Sequence, residues 1–190
     1  MNGWEICLIC HRENLWETKK QKEHLSHLPK RVAKEIMEFS FPNLPDISKG
    51  VYIYGFVKTG KTLRAAKAVM EQLHHEYVHT QIRNTFAFVE TSALLQQIKN
   101  TYNAGNEETE QSIIEKYQSI DYLIFDDIGV QKTSDWAYTV LYLILNYRYE
   151  NYKTTIFTSN CSLDDLSGQM GDDRIVRRIM DMCAVIEPIQ

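Results

Sequence analysis

The sequence predicts an α/β fold in which a five-stranded parallel sheet lies between helices. Three observations support this prediction. Five short runs rich in β-branched and aromatic residues alternate with longer helical stretches along the 190 residues. A glycine-rich loop that ends in lysine and threonine joins one strand to a helix, and two adjacent aspartates follow another strand. Both features are typical of α/β domains that bind phosphate groups.

Composition limits the class of protein. Hydrophobic residues make up 44% of the chain, which is enough for one packed domain with a short appendage. No apolar run reaches the ~18 residues of a membrane span, and the polar start does not resemble a signal peptide, so we expect a cytoplasmic protein. The net charge of −4 does not indicate a general nucleic-acid binder, and four cysteines do not require a disulfide scaffold.

Residues 1–42 are predicted to form a short N-terminal appendage, and residues 43–190 the main domain. The boundary is placed at Pro42 and Pro45, since two close prolines mark a turn after the amphipathic helix expected over 29–39. The appendage has nearly the spacing of a Cys₂His₂ zinc site, with the candidate ligands Cys7, Cys10, His24 and His27. We favour the alternative, in which free thiols and solvated histidines lie on a Lys/Glu-rich helix.

The glycine-rich loop has the complete G-x-x-x-x-G-K-[ST] pattern of a phosphate-binding loop. It consists of Gly55-Phe56-Val57-Lys58-Thr59-Gly60-Lys61-Thr62. A strand is predicted just before it, over 50–54, and a helix over 61–73, so backbone N–H groups and a helix N-terminus converge on one point. We therefore predict nucleotide binding, with Lys61 on the β- and γ-phosphates and Thr62 as a Mg²⁺ ligand.

The middle of the chain supplies a second part of the predicted site. A strand over 85–89 is followed by two predicted helices, 91–102 and 107–118, one more than a simple crossover requires. The apolar strand that follows ends in two carboxylates, where parallel sheets hold their ligands. Asp126 is suited to bind Mg²⁺ and Asp127 to orient an attacking water.

The last third adds an amide and a basic cluster. A largely buried helix over 134–150 leads to a strand over 154–160, whose Asn160 could hydrogen-bond the γ-phosphate or the attacking water. Arg174 and Arg178 lie four residues apart on one face of a later helix. They form either a solvated basic face or an arginine finger that reaches a neighbouring subunit's nucleotide. A fifth strand is predicted over 183–187.

Five ordered blocks of this sequence resemble the DnaC/DnaI-type replicative helicase loaders, a group of AAA+ ATPases. The related IstB-type transposition helpers share much of the pattern. The resemblance covers residues 42–187. The blocks are Asp126-Asp127-Ile128-Gly129-Val130-Gln131, Ser134-Asp135-Trp136, Tyr147-Arg148-Tyr149, Phe157-Thr158-Ser159-Asn160 and Arg174-Ile175-Val176-Arg177-Arg178-Ile179.

The resemblance implies roles for matching positions. Lys61 and Thr62 correspond to the Walker A lysine and metal ligand, Asp126 and Asp127 to the Walker B pair, and Asn160 to sensor 1. It also implies that Arg178 is the arginine finger, supported by Arg174. The helices over 91–118 fall where relatives carry an insertion that contacts single-stranded DNA, which makes Lys99, Asn100 and Tyr102 candidate DNA contacts.

Some positions depart from the family pattern. Lys58 stands where glycine is usual, and Asp127 where many AAA+ enzymes have glutamate, which suggests slow hydrolysis stimulated by partners. The chain leaves no room for a C-terminal helical lid, so we expect a core without one.

The leading hypothesis from the sequence is an ATP-dependent helicase loader that acts in the initiation of DNA replication. It would self-associate, bind ATP and Mg²⁺ at subunit interfaces, and contact a replicative helicase and single-stranded DNA. The alternatives are an IstB-like transposition helper, a small nucleotide kinase and an ATP-gated binding module that does not hydrolyse ATP.

Overall fold

The computed structural model describes residues 3–41, 43–80, 82–103, 107–129 and 134–186, with side chains from residue 8 onward. Within them, five strands form one sheet in the order β2-β3-β4-β1-β5, and every neighbouring pair is parallel. The strands are β1 (Val51–Tyr54), β2 (Phe86–Glu90), β3 (Tyr122–Asp126), β4 (Thr154–Ser159) and β5 (Ala184–Ile186). The predicted five-stranded parallel sheet is therefore confirmed.

The strand register brings the functional segments to one edge of the sheet. Tyr54 at the end of β1 is level with Ser159 at the end of β4. Glu90 at the end of β2 is level with Asp126 at the end of β3. The carboxyl ends of four strands therefore meet at one edge, which is where open α/β sheets bind ligands.

Helices cover both faces of the sheet. In chain order they are α1 (Gly3–Leu15), α2 (Gln21–Leu25), α3 (Lys30–Glu38), α4 (Lys61–His75), α5 (Thr91–Asn100), α6 (Glu110–Ser119), α7 (Asp135–Glu150), α8 (Leu163–Met170) and α9 (Arg174–Met182). A π-helical segment, Trp16–Lys20, links α1 to α2, and another, Glu76–Thr80, extends α4. No helix in the described ranges is both long and apolar enough to cross a membrane.

Helix α4 and its extension run beyond the predicted end at residue 73. A buried carboxylate stabilises this extension, although its polar sequence predicted that the helix would end earlier. Glu76 accepts hydrogen bonds from Gln72 (2.8 Å), Asn84 (2.8 Å) and Tyr122 (2.5 Å). These donors satisfy a buried charged group that would otherwise destabilise the fold.

The core has two layers, one on each face of the sheet. One layer packs α4 against the sheet and includes Trp16, Val32 and Ile36 from the N-terminal segment. The other layer is formed mainly by α5 to α9. The N-terminal helices thus share an apolar cluster with the main domain, while the boundary at residue 42 stays a prediction, since Pro42 itself lies outside the described residues.

Arg148 fixes the ends of β3 and β4 that lie opposite the candidate site. It belongs to α7, and its side chain is fully buried. Its guanidinium donates to the carbonyls of Tyr117 (2.9 Å), Ile120 (2.6 Å) and Thr154 (2.7 Å) and to the Thr155 hydroxyl (2.9 Å). Burial lowers the pKa of Arg148 to about 9. This bonding holds together the starts of the two strands that carry Asp126 and Asn160.

Candidate functional site

The loop between β1 and α4 winds through unusual backbone conformations. Lys58 (φ 68°) and Gly60 (φ 80°) both occupy the left-handed region, and Gly60 is the N-cap of α4. A Cβ on Gly60 would meet no atom within 4 Å, so its glycine is required by conformation rather than space. Lys58 adopts the same conformation without that freedom, which costs about 1 kcal/mol. The family's usual glycine at this position would avoid that cost.

Lys61 is held at the mouth of the loop. Its side chain is only 6% exposed, and Nζ donates to the carbonyls of Gly55 (3.0 Å) and Phe56 (2.7 Å) and to Asn160 Oδ1 (3.0 Å). Burial lowers the pKa of Lys61, and the charges of Asp127 and Asp126 oppose that shift. The structure therefore brings the predicted Walker A lysine and sensor 1 amide into direct contact.

Asp126 joins three elements of the site. Its Oδ1 accepts from the Thr62 hydroxyl (2.8 Å) on α4 and from the Thr158 hydroxyl (2.6 Å) on β4. No hydrogen bond within the described part of the chain engages Oδ2. Two hydroxyl donors on one oxygen leave the other free to bind a metal ion or a metal-bound water. The two residues predicted to bind Mg²⁺, Thr62 and Asp126, thus touch each other.

Asp127 sits in a tight turn directly after β3. Its backbone is left-handed (φ 54°), and its N–H donates to the Thr158 hydroxyl at 3.1 Å. Burial raises the pKa of the Asp127 carboxyl, as do the negative charges of Asp126 and Glu90, whereas Lys61 lowers it. A carboxylate whose pKa is raised accepts a proton more readily, which suits a group that orients or activates water.

These residues line a cleft of about 570 Å³. Its lining includes Lys58, Lys61, Asp126, Asp127 and Asn160, together with Glu90 at the end of β2. Helix α3 and the residue before it also line the cleft, through Pro29, Arg31 and Glu35. The volume falls within the range of small-molecule sites.

Three groups of this site were missed in the sequence. Thr158 belongs to one of the resembling blocks, but its spacing alone does not show that its hydroxyl faces Asp126. Glu90 could have been found, because it ends a parallel strand in the same way as Asp126. The contribution of α3 to the cleft could not have been predicted, since the position of this helix depends on tertiary packing.

The oxygen groups here fit Mg²⁺. Thr62 offers a hydroxyl and Asp126 a carboxylate, and hard cations prefer such ligands. Within the described residues, no set of three or more His, Cys, Asp or Glu side chains could hold a metal ion alone. A magnesium ion in this cleft would thus depend on phosphate oxygens and waters for most of its ligands, as is common in nucleotide sites.

The zinc alternative receives no support. The His24 ring packs against Trp16 with centroids 5.4 Å apart, and the His27 ring lies edge-on to Phe86 at 6.4 Å. Cys10 is exposed. The described residues contain no metal-binding group there, and the Cys7 side chain lies outside them.

The predicted arginine finger lies away from the cleft. Arg178 donates from Nε to Asn146 Oδ1 (3.0 Å), and its guanidinium lies 4.5 Å from the centre of the Tyr149 ring. Arg174 forms an ion pair with Asp172 (2.8 Å). Neither arginine is among the described residues that line the cleft. Both are held by partners on their own chain.

The three candidate DNA contacts lie on or near α5, apart from the loop. The Lys99 ammonium is 5.2 Å from the Trp136 ring centre, and the Trp136 indole donates to the Tyr102 hydroxyl (3.1 Å). Asn100 accepts from Gln96 (2.9 Å). Lys99 and Trp136 line a second cavity, of about 500 Å³, that reaches Asp127. The structure groups Lys99 and Tyr102 around Trp136 rather than in the cleft that Lys61 lines.

Comparison with known families decides the classification. The family model described as IstB-like ATP binding protein matches residues 4–187. The chain belongs to this family. The match includes both the N-terminal helices and the sheet domain.

The IstB-like chain is also similar to named helicase loaders. It is 26% identical to the replicative helicase loader DnaI of Bacillus subtilis over 73% of this chain and 45% of that protein. It is 28% identical to the replicative helicase loader DnaC of Buchnera aphidicola over 48% of this chain and 37% of that protein. The chain thus spans less than half the length of these curated relatives.

A solved structure supports the fold assignment. The crystal structure of the DnaC helicase loader superposes with a TM-score of 0.60 at 27% identity, over 91% of this chain and all of that one. The fold is that of a P-loop AAA+ core, as predicted. The predicted resemblance to DnaC/DnaI-type loaders is likewise confirmed.

Proposed function

We propose that this protein is an ATP-dependent loader of a replicative helicase that acts in the initiation of DNA replication. It binds ATP with Mg²⁺ in the cleft between the β1–α4 loop and the acidic end of β3. Family membership supports ATPase-type nucleotide binding, and the named relatives support the loader role. A cytoplasmic location is part of the same proposal.

The observation that carries the proposal is the contact network at the sheet edge. Lys61 reaches Asn160 at 3.0 Å, and Thr62 reaches Asp126 at 2.8 Å. A cation, an amide, a hydroxyl and a carboxylate from three elements therefore face one cleft in the free protein. Such an arrangement is suited to phosphate and Mg²⁺, because the groups are already oriented before the ligand binds.

Each side chain has a separate task in this proposal. Lys61 exchanges its carbonyl contacts at Gly55 and Phe56 for oxygens of the β- and γ-phosphates. Bound Mg²⁺ supplies charge neutralisation between the phosphates. Asp127 and Asn160 orient the water that attacks the γ-phosphate in line. The short arm of Asp127 makes hydrolysis slow in the absence of partners.

Completion of the site requires a second subunit. Arg178 contributes the positive charge for the transition state from a neighbouring protomer, with Arg174 in support. To do so it must leave Asn146 and Tyr149, its partners on its own chain. Exposure of this helix is consistent with a surface that meets another copy.

The partners follow from the loader role. A replicative helicase binds the protein, with the N-terminal segment 1–42 as the contact region, and single-stranded DNA runs along α5. On that surface, Tyr102 stacks on a base and Lys99 meets a phosphate, while Asn100 lies between them. Binding or hydrolysis of ATP changes the affinity for both partners.

Binding of a fluorescent ATP analogue, with and without Mg²⁺, tests the nucleotide part. We expect saturable binding in the wild type that is lost in Lys61→Ala. Equal affinity of both proteins for the analogue would contradict the proposal.

The loader part is tested by partner recovery from the native host in the presence of ATP. A replicative helicase, absent when the bait is Lys61→Ala, is the expected partner. Recovery of a transposase instead would exclude the loader role.

An IstB-like transposition helper is the second candidate, because the matching family bears that name. The two candidates differ in their DNA preference. A loader should bind single-stranded DNA more tightly than duplex DNA in the presence of ATP, and a transposition helper should show the reverse order.

A further inference from the structure

Thr158 makes an unusual set of contacts for a residue of the sheet interior. It lies on β4, two residues before Asn160, and its side chain is fully buried. Its hydroxyl donates to Asp126 Oδ1 at 2.6 Å and accepts from the Asp127 N–H at 3.1 Å. Its carbonyl accepts from the Ile128 N–H at 3.0 Å. One threonine therefore contacts three consecutive residues of the acidic turn.

The directions of these hydrogen bonds follow from simple chemistry. A hydroxyl has one proton, and the N–H of Asp127 can only donate. The hydroxyl proton must therefore point to the Asp126 carboxylate, which gives a short, charge-assisted bond. Because Thr62 donates to the same Oδ1, this oxygen is held by two hydroxyl donors from two elements.

The same contacts hold the Asp127 backbone in place. A left-handed aspartate (φ 54°) is less stable than an extended one unless its surroundings support it. The bonds from the N–H groups of Asp127 and Ile128 to Thr158 provide that support. The position of the Asp127 carboxylate in the cleft thus depends on β4.

We infer that Thr158 is a positioning residue, which aligns the Mg²⁺-binding carboxylate Asp126 and the water-orienting Asp127 through one buried hydroxyl. This inference rests on the proposed nucleotide site and deepens it. Thr158 is not among the described residues that line the cleft. It links β4, the strand that leads to Asn160, to the acidic pair.

Ser159 provides a matched control on the same strand. It is also fully buried, and its hydroxyl donates to the Ile128 carbonyl at 2.7 Å and accepts from the Cys161 N–H at 3.1 Å. It contacts the backbone of the acidic turn at Ile128 but neither carboxylate. Loss of this hydroxyl reports the general cost of removing a buried hydrogen bond from β4.

The test measures the Mg²⁺ concentration that gives half-maximal enhancement of fluorescent ATP analogue binding. Thr158→Val keeps the shape and removes the hydroxyl, so we expect this concentration to rise about tenfold, the size typical of a lost partner of a metal ligand. Thr158→Ser keeps the hydroxyl and should stay within about twofold of the wild type. Analogue binding in EDTA should be the same in all variants, and Ser159→Ala should match the wild type throughout.

A Thr158→Val protein with the wild-type Mg²⁺ requirement would overturn the inference, as would an equal shift in Ser159→Ala. If Thr158→Val does not fold, Thr158→Cys decides, because a thiol is a weaker donor and should give a smaller shift in the same direction. Failure of the proposed function looks different. In that case the wild type itself would show no Mg²⁺-dependent binding of the analogue.

Discussion

The candidate nucleotide cleft and helix α9 carry the charged groups of the proposed site, and these groups differ in burial and in their partners. In the cleft, Lys61 is buried and bonded to oxygens that a phosphate could replace. On α9, the three arginines lie at the surface, each held by a neighbour on its own chain: Asp172, Asp173 and Asn146.

This difference predicts that the cleft residues determine nucleotide affinity and that the arginines determine the rate of ATP hydrolysis. In the proposed mechanism the nucleotide-binding groups of the cleft come from one chain, so nucleotide affinity should depend mainly on residues of that chain. The arginines are not among the described residues that line the cleft, so in the proposed mechanism they act from a second copy. Variants in the two regions should therefore affect different measurements.

The largest effect is expected for Lys61→Ala. Loss of the buried ammonium removes charge-assisted bonds to phosphate, so affinity for MgATP should fall by at least about 100-fold and turnover should become undetectable. Isothermal titration and a phosphate-release assay measure the two quantities. Lys67→Ala, further along the same helix, is the control and should bind normally. Retained affinity in Lys61→Ala would place the phosphates elsewhere.

The second-largest effect is expected for Arg178→Ala, and it should appear in turnover rather than in affinity. We expect kcat to fall by about 100-fold or more, because a finger acts on transition-state charge. The dissociation constant of MgATP should change little, since Arg178 does not line the cleft. Arg177→Ala, which removes an exposed arginine paired with Asp173, should keep most activity. An unchanged kcat in Arg178→Ala would remove the finger assignment.

A smaller effect is expected for Asp127→Asn, measured by thermal unfolding without nucleotide. The folded state raises the pKa of this carboxyl, so it binds the proton more tightly than the unfolded chain does. Stability of the wild type therefore falls as pH rises from about 4 through the raised pKa. At pH 7 the variant should therefore melt at a higher temperature than the wild type.

The advantage of Asp127→Asn should disappear below about pH 4, where the wild-type carboxyl is also neutral. A gain that persists in acid would come from relief of the left-handed backbone instead. Turnover of this variant should fall at all pH values if Asp127 orients the water.

The smallest effect is expected for Lys58→Gly. Glycine removes the cost of the left-handed conformation at this position, so the midpoint of thermal unfolding should rise by a degree or two, equivalent to at most about 1 kcal/mol. Affinity for MgATP should stay close to that of the wild type. A loss of affinity comparable to that of Lys61→Ala would show that Lys58 itself contacts the phosphates.

The features that could be predicted from the sequence are those whose position in the fold is determined by a local pattern. The loop 55–62 lies between a strand and a helix, and parallel strands align their ends, so Lys61, Asp126 and Asn160 could be expected to converge. The sheet and its five strands followed from the same alternation of elements. These features require no knowledge of distant contacts.

The remaining features depend on tertiary contacts that no local pattern encodes. Helix α3 reaches the cleft only because Val32 and Ile36 pack into the core beside α4. The extension of α4 depends on Glu76, whose partners Asn84 and Tyr122 are distant in sequence. The role of the Thr158 hydroxyl depends on the pairing of β3 with β4.

A subunit-mixing assay tests most directly the claim that the cleft belongs to one chain and the arginine to the next. Lys61→Ala and Arg178→Ala, each expected to be strongly impaired alone, are mixed in equal amounts and ATP hydrolysis is measured. Random association creates interfaces with an intact lysine on one side and an intact arginine on the other, so we expect partial recovery of activity. No recovery, with both variants shown to co-assemble, would contradict it.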